Sequence, residues 1–368
     1  MNNNAEPLKK IQADTPLLDN NIFSLLSLKD LNREFIAKTS RIQELLMKQK
    51  KKFDNYDSSK HKLVEKKELV DITIKKYTEK IDSTLFMIWN IIHLLPREQM
   101  VIYQAYFQFK LKKLFSGSPY NKRLFAKPLG FPDDHQMILY ISDNHYLGKS
   151  SYDKFIHQYS MGIPINQTKR NRKNYFKEIL SNLIETGSNQ KITCLECGPA
   201  LEVTEMIKER DTLNNASITL LSSEDNAITY IQKLLKTSHR LQKESNEHIE
   251  IKKYDISTIL YLKNMQSVIK DQDLIYSSSI LDFLNDQLAK KAIGSLLAAL
   301  KPSGRLILSC IKDESKHKAY TELLGGIYVH YRNKEALFKL TSDIANVRKI
   351  SIFNNKEKDM NLFIEILK

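Results

Sequence analysis

The C-terminal half of this 368-residue chain alternates short apolar runs with helical patterns, beginning at Lys191. Such alternation is typical of a sheet whose parallel strands are joined by crossover helices. We therefore predict an α/β fold with a doubly wound, mostly parallel sheet that two late strands, Val347–Phe353 and Asn361–Leu367, complete. The other predicted strands are Ile192–Leu195, Ser217–Leu221, Ile249–Tyr254, Asp273–Tyr276 and Arg305–Cys310, and the predicted helices between them are Leu201–Glu209, Glu224–Lys236, Ile256–Ile269 and Asp286–Leu300.

The first of these units, Lys191–Ile207, has the order strand, tight glycine turn, helix. Its turn, Cys197-Gly198-Pro199-Ala200, follows the predicted first strand, and ligands of such sheets bind at the carboxyl ends of the strands. Gly198 has no Cβ, so the backbone can approach a ligand closely, and the helix N-terminus that follows can lie over a cofactor. The same unit also occurs as plain scaffold, so the turn alone does not establish a binding site.

Polar residues follow the next strands where a nucleoside cofactor would need them. Ser222, Glu224 and Asp225 follow the second strand, the place where an acid commonly binds ribose hydroxyls. Asp255 ends the third strand, and its carboxylate can accept a hydrogen bond from an adenine amino group. The small-residue segment Ser277–Asp282 follows the fourth strand. The sequence thus predicts a nucleoside site along the carboxyl edge of the sheet.

The first half of the chain has helical spacing without strand alternation. We predict a flexible arm over residues 1–20, a helical domain over 21–186 and a second domain over 187–368. The charged segment Lys48–Lys62 is interpreted as a solvated linker, and the glycines and prolines of residues 115–138 predict an ordered loop. The first predicted helix starts at Phe23, and the others cover Leu63–Leu95, Glu98–Phe115, Tyr152–Gln158 and Ile165–Glu185. A hinge is predicted at Gly187-Ser188-Asn189.

Composition favours a soluble protein in a reducing compartment, since the hydrophobic fraction is 42% and the charged fraction 27%. The three cysteines, Cys194, Cys197 and Cys310, imply no disulfide framework. Cys194 and Cys197 form a CxxC, but a zinc site needs further ligands that the sequence does not supply nearby. No signal peptide and no apolar run long enough to span a bilayer is visible. We therefore predict a cytoplasmic protein without a transmembrane segment or a metal site.

The net charge of +14 is uneven, because residues 1–185 carry +11 and the remainder +3. A basic half can bind nucleic acid, anionic lipid or an acidic substrate, or it can be a lysine-rich solvated surface. The basic run Lys169–Lys173 leaves the same choice open. No NPPY-type base-flipping motif is present, and aromatic residues are sparse among the basic runs. Nucleic acid is therefore not the favoured partner.

The order of these parts resembles that of the class I S-adenosylmethionine-dependent methyltransferases. The segment Asp273–Ser309, with its LKPSGRL turn, is similar to their fourth and fifth strands. The chain further resembles the methyltransferases related to those that make 3-hydroxypalmitic acid methyl ester, a bacterial signalling lipid. The likeness covers roughly residues 120–368 and rests on KPLGFPDDHQMI at 127–138, PINQTKRNRKNY at 164–175, CGPALEV at 197–203 and HYRNKEAL at 330–337.

This resemblance implies a Rossmann-like methyltransferase domain with a seven-stranded sheet, a helical N-terminal lid or substrate domain, and S-adenosyl-L-methionine as cofactor. It implies transfer of a methyl group to a carboxylate or hydroxyl of a small-molecule or fatty-acid-like acceptor. The implied cofactor-binding residues are Cys197, Gly198, Pro199, Ala200, Glu202, Ser222, Glu224, Asp255, Ile256, Ser277 and Ser278. The implied acceptor-binding residues are Arg170, Arg172, Tyr331 and Arg332, and the guanidinium groups of the three arginines suit a carboxylate. A hydroxyl acceptor would need Asp134 or His135 as a base.

The chain departs from the pattern of these methyltransferases at four positions. Glu196 stands where the general fold has its first glycine, and its carboxylate would crowd or repel the cofactor's carboxylate unless it turns away. Ser222 replaces the ribose-binding acid, Asp133 a glycine, and His135 an aromatic residue. Two alternatives therefore stay open: a nucleic-acid methyltransferase or binder, and a catalytically weakened methyltransferase fold that acts as a binding protein. A homodimer is a further hypothesis.

Overall fold

The structure is a computed structural model, and it describes residues 31–131, 133–143, 146–187, 189–209, 213, 215–237, 248–314, 317–345, 347–355 and 359–368. The predicted arm over residues 1–20 and the predicted helix start at Phe23 lie outside the described residues, as does Ser188 of the predicted hinge.

Seven strands form one sheet in the order β3-β2-β1-β4-β5-β7-β6. Strands β1 to β5 are parallel, whereas β7 lies antiparallel between β5 and β6. The chain order reverses between β1 and β4, and open α/β sheets bind ligands beyond the strand ends at such a point. The predicted α/β fold class, with a mostly parallel seven-stranded sheet, is therefore confirmed. The strands are β1 Lys191–Leu195, β2 Ser217–Ser222, β3 Ile249–Lys253, β4 Gln272–Ser277, β5 Leu300–Ile311, β6 Lys349–Phe353 and β7 Asn361–Leu367.

The strands at the centre of the sheet are apolar runs because helices cover the sheet on both faces. Ile192 and Tyr276 belong to the core on one face, and Ile275 and Leu306 to the core on the other. The helical elements of the C-terminal part are α8 Leu201–Glu209, α9 Asp225–Leu235, a 3₁₀-helix Ile256–Leu260, α10 Leu262–Val268, α11 Ile280–Phe283, α12 Asp286–Ala298, a π-helix Ala319–Leu324 and α13 Lys334–Thr341.

The helical region precedes β1 and packs against the sheet through its last helix. In that helix Phe176 stacks on Tyr276 of β4, with ring centroids 4.8 Å apart. The core of the helical region also takes in Tyr320 and Leu323 from the π-helix, so the two halves share buried surface. In the part of the chain that the structure describes, no helix is long and apolar enough to cross a membrane. The helices of this region are α1 Arg33–Asp57, α2 Leu63–Ile92, α3 Arg97–Phe115, α4 Pro119–Ala126, α5 His135–Asp143, α6 Ser151–Gly162 and α7 Pro164–Thr186.

The predicted linker was wrong over residues 48–57, which form the last turns of α1. Gln49 and Phe53 continue the buried spacing of Leu46, while the lysines between them are exposed. Phe53 is fully buried and stacks on Phe155, with centroids 5.6 Å apart. One buried side chain per turn is enough to continue a helix whose other positions are charged.

The predicted loop over residues 115–138 was also wrong in part, because it contains all of α4 and the start of α5. Ser118 caps α4 by accepting a hydrogen bond from the backbone N–H of Asn121, and Pro119 occupies the first helical position. Serine and proline are favoured at these two positions. The residues interpreted as helix breakers are therefore the start signal of a helix.

The fifth strand and one predicted helix also differ from the prediction. Strand β5 begins at Leu300, because Leu300 pairs with Gln272 before a register irregularity, so the LKPSGRL segment lies within the strand. The single helix predicted over Ile256–Ile269 is instead a 3₁₀-helix followed by α10. Asp255 caps the 3₁₀-helix by accepting a hydrogen bond from the backbone N–H of Ser257 at 2.8 Å, and the extended backbone at Tyr261 separates the two helices.

Candidate functional site

A cavity of about 670 Å³ extends along the carboxyl ends of β1, β2, β3 and β4. Helix α7 and the segment between α4 and α5 also contribute to its walls. Eight of the sequence-predicted cofactor residues line it, namely Cys197, Gly198, Pro199, Glu202, Ser222, Glu224, Asp255 and Ser278. Ala200 and Ser277 are buried behind the lining, and the structure does not describe the side chain of Ile256. The cavity is therefore the candidate site.

Three residues of the turn after β1 have a left-handed backbone conformation. Glu196, Gly198 and Ala200 have φ values of +49°, +51° and +48°, a conformation that costs a residue with a Cβ of order 1–3 kcal/mol. A Cβ at Gly198 would also lie 3.0 Å from Cδ1 of Ile138, a residue of α5. The helical region therefore packs directly over the glycine of the turn.

At the end of β2, both predicted ribose-binding residues are already hydrogen bonded. The Ser222 hydroxyl accepts from the backbone N–H of Glu224 at 3.1 Å. Glu224 accepts from the backbone N–H of His135 at 3.1 Å through one oxygen and pairs with His135 Nδ1 through the other. Burial raises the pKa of Glu224, and the hydrogen bond from His135 opposes that rise.

Glu196 turns its side chain toward the ends of β2 and β3. Its Oε2 accepts from the Ser223 hydroxyl at 3.0 Å. Burial raises the pKa of Glu196, while the nearby Tyr254 and Ser223 hydroxyls lower it. Even so, Glu196 Oε1 and the Tyr254 hydroxyl oxygen are both buried without a hydrogen bond of normal geometry to any described residue.

Glu202 forms the wall of the cavity next to the turn, on the first turn of α8. It accepts from the Tyr276 hydroxyl at 2.9 Å, and burial raises its pKa. Burial likewise raises the pKa of the Cys194 and Cys197 thiols well above the ordinary value, so neither is held as a thiolate. Among the described residues, no group of three or more His, Cys, Asp or Glu side chains is arranged to hold a metal ion.

Helix α7 presents three cations to the cavity, each paired with a carboxylate from another element. Lys169 pairs with Asp133 at 2.5 Å and Lys173 with Glu205 at 2.6 Å. Arg172 lies between them in the sequence, is buried, and pairs with Asp282 at 2.6 Å. Arg172 also donates to the carbonyl of Ser278 and to the side chain of Asn361. The predicted acceptor residue Arg172 is thus in the cavity wall, and a buried ion pair already engages it.

The other two arginines predicted to bind an acceptor do not line the cavity. Arg170 donates to the carbonyls of Ile141 and Met161, at 3.0 and 2.8 Å, and so joins α5, α6 and α7. Arg332 is buried and donates to the carbonyls of Leu281 and Leu284. These carbonyl oxygens are ones that helix ends leave unpaired. Arg332 also pairs with Asp286 at 3.0 Å, and Arg170 donates to the side chain of Gln167.

Asp134 and Tyr331 also lie outside the lining. Asp134 is buried and accepts from Arg123 Nε through both oxygens at 2.9 Å. Tyr331 has Lys318 Nζ 4.2 Å from its ring centroid and shares a hydrogen bond with Glu322. The structure therefore brings together most of the predicted cofactor residues and, of the predicted acceptor residues, Arg172 alone.

Sequence reasoning missed several lining residues. Tyr254 was assigned to a strand, although it follows directly after β3 and faces the cavity. Apolar side chains from three separate parts of the chain also contribute, namely Phe131, Ile138, Phe176, Ile280 and Phe283. Tyr254 could have been found as the residue before Asp255, whereas the apolar set carries no sequence signal because such residues are ordinary in cores.

Comparisons with known proteins give a likeness of fold. No family model and no curated protein matches the chain. A solved structure described as a possible exported protein from Bordetella parapertussis is 11% identical, with a TM-score of 0.55 over 73% of this chain and 88% of that one. Magnesium protoporphyrin IX methyltransferase from Synechocystis PCC 6803 with bound SAM is 11% identical, with a TM-score of 0.37 over 56% and 82%. N-methyltransferase NodS from Bradyrhizobium japonicum WM9, in complex with S-adenosyl-l-homocysteine, is 15% identical, with a TM-score of 0.36 over 55% and 87%.

Proposed function

We propose that this protein is an S-adenosyl-L-methionine-dependent methyltransferase whose cofactor binds in the cavity at the carboxyl ends of β1 to β4. One observation carries the proposal: the cavity lies at the switch point of the sheet and is bordered by a left-handed turn at Gly198. Nucleoside ligands bind at that point in open α/β sheets. The methyltransferase-like sequence of the turn, CGPALEV, supports the choice of cofactor.

The residues present fit such a cofactor. Gly198 has no Cβ and has a left-handed backbone, so its backbone can approach the methionine part of the cofactor closely. Asp255 and the unpaired hydroxyl of Tyr254 are on the side where the nucleoside would lie. When bound, S-adenosyl-L-methionine supplies a methyl group that is already activated by the sulfonium. The protein's task is then to bind and align the acceptor in line with that group.

A carboxylate on a partly apolar molecule is the proposed acceptor. The cations of Lys169, Arg172 and Lys173 are on one side of the cavity, and an acceptor carboxylate would bind there by sharing or displacing the carboxylates that already pair with them. Phe131, Phe176 and the other apolar lining residues provide surface for a fatty-acid-like chain. A carboxylate is already deprotonated at neutral pH, so its methylation needs no general base.

The proposal is tested by incubating the protein with methyl-labelled S-adenosyl-L-methionine and a C16 3-hydroxy fatty acid, and measuring label that mild base releases as methanol. The matched variants are Ser278→Trp, which fills the cavity, and Ser83→Trp, on the exposed face of α2. We expect base-labile label in the wild type and in Ser83→Trp, with at least a roughly tenfold loss in Ser278→Trp. Undiminished transfer in Ser278→Trp would contradict the assignment of this cavity.

A second candidate is a binding protein on the same fold that has lost transfer activity. The observation that favours it is the carboxylate of Glu196, in a left-handed position where a glycine would be unstrained. Calorimetry and the transfer assay together separate the two candidates: both would bind S-adenosylhomocysteine, but the binding protein transfers no label to a carboxylate or a hydroxyl acceptor.

A further inference from the structure

Four side chains at the ends of β1 and β2 could hold the ribose hydroxyls of the proposed cofactor: Glu196, Ser222, Glu224 and Asp225 all line the cavity there. A ribose is usually bound by a carboxylate that follows the second strand. Here the first residue after the apolar part of β2 is Ser222, which has no carboxylate. The question is therefore which acid of the group is available.

Ser222 and Glu224 are committed to other contacts. The Ser222 hydroxyl caps the turn by accepting from the backbone N–H of Glu224. Each Glu224 oxygen already accepts from His135, once from the backbone and once from the ring. A ligand that took Glu224 would have to share or break the contact that joins α5 to β2.

Asp225 is a poor candidate for a different reason. Its side chain is 70% exposed and forms an ion pair with Lys253 at 2.7 Å. A solvated carboxylate at the mouth of a cavity gains little from binding a hydroxyl, because water competes for the same oxygens.

Glu196 has a buried carboxylate oxygen without a hydrogen bond of normal geometry, which the other three residues lack. Its Oε2 is held by Ser223, at the end of β2, so its carboxyl group reaches from β1 to the region where the ribose-binding acid is expected. Its Oε1 is buried without a hydrogen bond of normal geometry to a described residue, and so is the nearby hydroxyl of Tyr254, a residue that is only 7% exposed and lines the cavity. An unpaired buried polar atom costs about 1–3 kcal/mol. A ligand hydroxyl placed between the two atoms would donate to Glu196 and accept from Tyr254.

We propose that Glu196, with Tyr254, binds the ribose hydroxyls of the nucleoside cofactor, so that the ribose-binding acid has moved from the end of β2 to the end of β1. This assignment rests on the proposed function. It also accounts for the left-handed backbone of Glu196, since strain at a residue with a Cβ is commonly found where a side chain serves a ligand. The departure from glycine at this position is then a relocated binding group and not an obstruction.

The assignment is tested by isothermal titration of the full chain with S-adenosylhomocysteine and with its 2′-deoxyribose analogue. The variants are Glu196→Gly, the double variant Glu196→Gly/Ser222→Asp, and the control Glu250→Gln, whose carboxylate is on β3 outside the cavity lining. Glu196→Gly suits its left-handed position, so it is expected to fold. Thermal unfolding of each variant verifies this.

We expect the wild type and Glu250→Gln to bind the ribose compound roughly 10–100-fold more tightly than the deoxy analogue, as loss of a hydrogen bond to a charged group predicts. Glu196→Gly should bring this ratio close to one, and the double variant should restore much of it. Tighter binding by Glu196→Gly with the ratio unchanged would show that Glu196 obstructs the site and would overturn the assignment. No heat with either compound on the wild type would instead overturn the proposed function itself.

Discussion

Both oxygens of the Glu224 carboxylate accept hydrogen bonds from His135, 89 positions earlier in the chain. The two side chains are each 12% exposed. This contact ties the first residue of α5 to the end of β2, so the helical region closes over the same strand ends that border the cavity. The tie is also a source of stability that can be measured.

Replacing His135 with Phe should destabilise the protein at pH 8 by about 1–3 kcal/mol, because a half-buried carboxylate loses one of its two donors. The ring contact with Tyr230 would remain. Burial raises the pKa of Glu224, so the cost should shrink at acidic pH, where the carboxyl is protonated. Urea unfolding at both pH values measures it. The control is His61→Phe, since His61 pairs with Glu65 on the surface and stacks on Tyr56; it should change stability by less than about 0.5 kcal/mol.

Replacing Arg172 with Met should cost about 3–5 kcal/mol, because it leaves the buried Asp282 carboxylate without its cation. The double variant Arg172→Met/Asp282→Asn should recover much of that loss, since the charge is gone while the backbone N–H of Ile311 keeps its acceptor. Chemical denaturation of the three proteins gives the comparison. Equal losses in the single and double variants would mean that the shape of Arg172, not its charge, is what matters.

Replacing Gly198 with Ala should reduce stability by about 1 kcal/mol or more, because the new Cβ is in a left-handed position and meets Ile138. Adding Ile138→Val should relieve the steric part and leave the backbone part. The matched control is Gly294→Ala in α12, where a new Cβ meets no atom within 4 Å. That change should stabilise the helix by up to about 1 kcal/mol. Differential scanning calorimetry of the three variants tests the set.

Glu322, in the π-helix, should make stability depend on pH. Burial raises its pKa to about 7, against opposing contributions from Lys318 and Tyr331. The folded protein therefore keeps the proton after the unfolded chain has released it, so stability falls as the pH rises from about 4.5 to 7. The variant Glu322→Gln removes a titrating group, and its advantage over the wild type should grow across that window by about 2 kcal/mol. Chemical denaturation of both proteins at pH 5 and pH 8 measures this difference. An equal difference in the free energy of unfolding at the two pH values would refute the prediction.

The sheet could be predicted from sequence because its signals are local. Apolar runs such as Ile192–Leu195, bounded by turn residues, predict strands of a parallel sheet, because helices cover both faces of such a sheet. The helices of the N-terminal region were harder to predict, since only a few positions in their charged stretches are buried. Residues 48–57 are helix and not linker because Phe53 is buried in the core. That burial can be seen only in the folded structure.

The candidate site could be predicted only in part for the same reason. The turn at Gly198 and the strand ends follow from chain order and topology. What a side chain does after it reaches the cavity depends on partners that are distant in sequence, as with Arg172 and Asp282 or His135 and Glu224. Arg170 was placed in the acceptor site by its position in a motif, yet its guanidinium group meets backbone carbonyls in the helical region.

The central claim, that the cavity at the strand ends is a nucleoside cofactor site, is tested most directly by crystals of the protein grown with S-adenosylhomocysteine. The difference electron density is predicted to lie over Gly198, with ribose hydroxyls within hydrogen-bonding distance of Glu196 and Tyr254 and the adenine beside Asp255. Density for the nucleoside at another surface, or a cavity filled by ordered water alone at saturating ligand, would contradict the account.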